Sequence, residues 1–125
     1  MIRNGNADGS GSNRLPATIT AGGITRSVSG HMRGMQHPGI TAERVRHALE
    51  NWILRGVRID GLGGESMCYI GPAPGMREML RVAVSMDDER IVTAFSDQVA
   101  TRALRRGDDD YFDLEYEDWE KRDEH

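Results

Sequence analysis

The chain has 125 residues, a formal net charge of −4, and 38% hydrophobic against 29% charged residues. That is one domain of ordinary globular composition, long enough to bury roughly two thirds of its unfolded surface without disulfides or metal. Cys68 is the single cysteine, so no internal disulfide or multi-cysteine zinc site forms. No stretch approaches the roughly 20 apolar residues of a membrane span or the pattern of a secretory signal, and the expected location is the cytoplasm.

Residues 1–27 hold Asn-Gly, Asp-Gly-Ser-Gly-Ser and Ala-Gly-Gly with few large apolar groups, the composition of a flexible leader. Val28, His31, Met32 and Met35 then fall at i, i+3, i+4 and i+7. This spacing predicts a short amphipathic helix with His31 on or beside its buried stripe, ended by His37-Pro38-Gly39. Thr41 supplies an N-cap oxygen and Glu43 a first-turn acid for a second helix, along which Val45, Ala48, Leu49 and Trp52 repeat at helical spacing.

The period then changes to two. Residues 53–59 and 66–70 read as short strands around a loose connection at 60–64, and Gly71-Pro72-Ala73-Pro74-Gly75 as a turn. Residues 79–85 alternate, with Leu80, Val82 and Val84 on one face and Arg81 on the other. Met86-Asp87-Asp88-Glu89 turns the chain into a strand over 90–95, where Ile91, Thr93 and Phe95 are expected on one face. A closing helix over 97–106 takes Ser96 or Asp97 as its cap and places Arg105 and Arg106 at its carboxyl end. The predicted fold is α+β, with two N-terminal helices packed on an antiparallel meander of about four strands, plus a C-terminal helix, all within residues 28–106.

Residues 107–125 form an acidic tail of ten acids against two bases, a net −8, which leaves +4 on the rest of the chain. A basic body with an acidic tail is one layout of nucleic-acid-binding proteins, because the tail competes with phosphates for the basic face. A solvated, disordered tail is the plainer alternative. Tyr111, Phe112, Leu114, Tyr116 and Trp119, spread among the acids, also fit one more strand or turn of helix.

Ser29, His31, Met35, Gly39, Ile40, Thr41 and Val45, followed by Ile91, Val92, Thr93, Ala94 and Phe95, carry a recognisable pattern. It resembles Ser-x-His-x-x-x-Arg-Met-x-x-Arg-Gly-Ile-(Ser/Thr)-x-x-x-Val with a closing Val-Val-Thr-Ala-(Tyr/Phe), found in a family of small bacterial domains of largely unassigned function. That family is similar in layout to the RelE-type toxins and to the barnase, EndoU and colicin class of metal-independent ribonucleases. The resemblance implies a RelE-like domain over 28–106, RNA as substrate, an antitoxin or immunity protein as partner, and no cofactor.

Metal-independent RNA cleavage needs a base for the ribose 2′-hydroxyl, an acid for the leaving oxygen, and cations for the phosphate charge. His31 carries an imidazole, a group that can both take and give a proton, and is the candidate acid or base. Arg33 and Arg81 are candidate phosphate clamps, Thr93 orients the phosphate through its hydroxyl, and Tyr69 stacks on a base. Each has a structural counterpart: a hydrogen-bonded core histidine, solvent-facing arginines, and a good strand former in Thr93. Two departures from the pattern favour binding over catalysis. The segment between His31 and Gly39 is one residue short, and the two arginines expected there are missing, with only Arg33 nearby.

Weaker signals point away from other chemistry. Gly61-Leu62-Gly63-Gly64 lacks the helix that a dinucleotide loop requires, the four histidines lack metal-ligand spacing, and Cys68 sits mid-strand with no helix amino end to activate it. The leading reading is a metal-independent toxin ribonuclease. The alternatives are a non-catalytic protein- or nucleic-acid-binding module of the same fold and an acidic-tail mimic of nucleic acid.

Overall fold

The computed structural model describes residues 14–34, 38–59 and 64–123. Among them the chain runs through β1 (Thr18–Ala21), β2 (Ile24–Ser27), α1 (Gly30–Gly34), α2 (Ala42–Glu50), β3 (Leu54–Ile59), β4 (Glu65–Gly71), β5 (Leu80–Ser85), β6 (Ile91–Ser96), α3 (Gln98–Arg106), α4 (Asp109–Glu115) and β7 (Glu117–Lys121). Strands β1 and β2 form a two-stranded hairpin, and the other five form an antiparallel sheet in the order β6-β5-β4-β3-β7.

The chain is therefore α+β, but the expected four-stranded meander with two N-terminal helices is corrected in three places. First, a hairpin precedes both helices and occupies residues assigned to a flexible leader. Gly22 and Gly23, both at positive φ, make its turn, and its alternation buries Ile19 and Ala21. Residues 1–13 of that expected leader lie outside the described residues. Second, the acidic segment is folded: Asp108 caps α4 by accepting from the Tyr111 N–H, and β7 pairs with β3 as an edge strand. Third, the sheet carries elements on both faces.

One face holds a core of Ile19, Val28, Met32, Val45, Leu49, Leu80, Val82, Val84 and Ile91 beneath the hairpin, α1 and α2. The other holds Leu54, Cys68, Ile70, Ala83, Ala100, Ala103, Phe112 and Tyr116 beneath α3 and α4. The period-two reading of residues 79–85 agrees with this division, since Leu80, Val82 and Val84 enter the first core and Ala83 the second.

Local details shift three expectations. Ser29 accepts from the Met32 N–H at 3.1 Å and so sets the start of α1, turning Met32 inward and leaving His31 and Arg33 exposed. Met35 and His37 fall outside the described residues. Thr41 caps α2 through its side chain as expected, with Val45, Ala48 and Leu49 buried. Trp52 lies past the helix end and is only half-buried, so it does not continue the stripe. In β6 the register with β5 shifts between Ala83 and Val84, skipping Val92, so Ile91 pairs with Val84 while Thr93 pairs with Ala83. This bulge sends Ile91 into the first core and places Thr93 and Phe95 on the opposite face.

Candidate nucleic-acid interface

Arg55 and Tyr69 face each other directly across β3 and β4 on the face that carries the hairpin and α2. The Arg55 guanidinium lies 5.9 Å from the Tyr69 ring centroid and 4.6 Å from that of Trp52, which follows α2. Arg122, just beyond β7, approaches the Trp52 ring to 4.4 Å, and Arg26 of β2 lies 6.0 Å from Tyr69. The two rings meet edge to face at 6.2 Å. Three cations and two π-faces thus alternate in one patch, an arrangement stabilised by cation–π attraction.

Two of the nearby carboxylates are engaged, and a third, Glu89, lines the far end of the groove. Glu120 accepts from Arg55 Nε at 2.8 Å and holds that guanidinium more firmly protonated, while Glu50 accepts from the Gly22 N–H at 3.1 Å. Arg122 donates to the Glu50 carbonyl at 2.9 Å, which orders it without neutralising it. Arg26 Nε is buried and makes no hydrogen bond, the one such side-chain atom among the described residues. A buried donor without an acceptor costs about 1–3 kcal/mol, a cost the fold bears at this position.

Two depressions meet at Arg26 and Tyr69. One, of about 220 Å³, is bounded by Ile24, Trp52 and Arg122; the other, of about 250 Å³, continues past Met67 to Met86 and Glu89. Together they make an extended groove whose walls offer guanidinium planes and rings for stacking and cations for phosphates.

The candidates of the sequence reading divide among three places. Tyr69 lies in this groove. His31 and Arg33 are exposed on α1, with Arg33 and Arg14 lining a separate depression, so His31 is not a core histidine. Arg81 and Thr93 come together in a cleft on the opposite face of the sheet, and the Arg81 side chain is only 15% exposed rather than solvent-facing. The structure therefore does not bring His31 to the two residues expected to share its phosphate. Arg26, Trp52, Arg55 and Arg122 were missed. Arg26 stood in the apparent leader, Trp52 in a helical stripe and Arg122 in the tail; only Arg55, polar beside apolar neighbours in a strand, carried a local signal.

Comparison with protein-family models, curated proteins and solved structures found no match to this chain. No helix among the described residues is long and apolar enough to cross a membrane.

Proposed function

We propose that the protein is a non-catalytic nucleic-acid-binding module of the cytoplasm that holds single-stranded RNA along the arginine–aromatic groove. The observation that carries this reading is the convergence of Arg26, Arg55 and Arg122 on Trp52 and Tyr69. Phosphate oxygens pair with guanidinium groups of this patch, and bases stack on the guanidinium and ring planes. The resemblance of residues 29–96 to a family of small bacterial domains of largely unassigned function, itself similar in layout to ribonuclease toxins, is what suggests RNA as the class of nucleic acid. The placement of His31 away from Arg81 and Thr93 favours binding over cleavage.

Anisotropy of a labelled single-stranded RNA oligonucleotide, titrated at several salt concentrations, tests the reading. Arg26→Ala and Arg122→Ala are each expected to weaken binding and to reduce the salt slope by about 1. Tyr69→Leu is expected to cost about 1–3 kcal/mol of affinity with the slope unchanged. Wild-type affinity in all three variants overturns the groove. RNA cleavage by the purified protein that disappears in His31→Gln replaces the binding reading with the ribonuclease one.

A further inference from the structure

On the face of the sheet away from that groove, a cleft of about 310 Å³ opens between β3, β4, β5 and β6. Its polar groups are arranged unevenly. Arg81 donates through Nη1 to the Tyr116 hydroxyl at 2.8 Å, and the same atom lies 3.6 Å from Asp97 Oδ2. Its guanidinium is stacked 4.5 Å from the Phe95 ring centroid. One nitrogen thus anchors the group to the protein, and Nε and Nη2 have no partner among the described residues. These two make the fork that pairs with both oxygens of a carboxylate.

The surroundings narrow the ligand. Arg58 reaches the same cleft with its Nη1 3.5 Å from Glu115, so both ion pairs are longer than charge-assisted hydrogen bonds and neither saturates its arginine. Ser66 and Thr93 line the cleft with hydroxyls that pair with no described residue. Cys68 adds no negative charge, because burial pushes its thiol pKa up. Ile59, Val92 and Phe95 supply an apolar wall. Two half-compensated cations suit a monoanion better than a dianion, and a cleft of this size, at the low end of the roughly 300–1,000 Å³ of small-molecule sites, suits a body of one ring.

We propose that this cleft binds a small organic carboxylate with an apolar body, its carboxylate on the free edge of Arg81 and its ring against Phe95 and Val92. The site is independent of the RNA groove, which lies across the sheet.

Benzoate is the probe, with its neutral isostere benzamide and with inorganic phosphate as controls, each titrated by calorimetry and by thermal shift. Benzoate is expected to bind and raise Tm, and the two controls to do neither. Thr93→Val and Ser66→Ala are each expected to weaken benzoate about three- to tenfold, with the Tm of the free protein and its RNA affinity unchanged. Arg81→Lys keeps the charge but loses the fork and is expected to weaken benzoate by at least about tenfold. Because Arg81→Lys also disturbs the contact with Tyr116, the two hydroxyl variants decide the question. No benzoate binding at millimolar concentration, equal binding of benzamide, phosphate binding in its place, or unchanged affinity in both hydroxyl variants overturns the proposal.

Discussion

At Gly56 a Cβ atom would sit 2.8 Å from the Cβ atoms of both Tyr116 and Trp119. The strand can pass beneath these two aromatic residues only because that position carries no side chain. Gly56→Ala should therefore cost about 1–3 kcal/mol through overpacking, measured in denaturant melts, although alanine is the better strand residue. Phe112 is fully buried beside the same rings, and Phe112→Ala should cost about 3–5 kcal/mol. Tyr116 gives this cluster a dependence on alkali. Burial pushes its pKa up to about 12, against the downward pull of the Arg81 hydrogen bond. Between about 10, the value of a free tyrosine, and about 12 the folded state therefore holds the proton that the unfolded state has lost. The stability contributed by the neutral phenol is intact below pH 10 and declines as pH rises through that window, by an amount on the order of 2 kcal/mol. A Tyr116→Phe protein should lack this part of the decline, which parallel melts at pH 9 to 12 will show.

The elements differ in how much of their stability is local. Thr41 satisfies the Arg44 N–H at the start of α2, and Thr41→Ala should cost about 1 kcal/mol, read from the melting midpoint. Strand β7 has little support of its own: it pairs with β3, rests Trp119 on the second core, and is tied by Glu120 to Arg55. A chain ended after Tyr116 should melt lower, unfold with a smaller denaturant slope, and associate through the uncovered edge of β3, as light scattering will show. The same contrast explains what was legible in the sequence. Helix α2 and strands β3 to β6 announce themselves through a cap, a helical stripe and period-two alternation. The hairpin does not, because Ile19 and Ala21 are too few to signal a core and become buried only when they join α2 and the sheet. Phe112, Tyr116 and Trp119 follow helical spacing, yet the helix stops at Glu115 and the chain turns through Asp118 at φ 51°. The groove was the least legible feature, since its residues come from β2, β3, β4, the end of α2 and the chain after β7, and only the folded register assembles them.

Across the whole molecule, the acidic segment folds against the basic body instead of trailing from it. Arg55–Glu120 at 2.8 Å, Arg58–Glu115 at 3.5 Å and Arg106–Asp108 at 3.3 Å join the two. These pairs are substantially exposed and worth about 0–1 kcal/mol each, so the melting temperature should hardly change with added salt, whereas the proposed binding of RNA should weaken steeply. Differential scanning calorimetry and anisotropy at matched salt concentrations will separate the two responses. The pairing of β3 with β7 also sets an order of assembly on the ribosome. Arg55 meets Glu120 65 residues further along the chain, so β3 emerges long before its outer neighbour exists. Through that interval the nascent sheet offers a bare row of amides and carbonyls above an unfilled aromatic pocket, an open template for other chains. Premature termination within the last elements would then yield not a shortened protein but a sticky fragment, a burden that falls on chaperones and proteases.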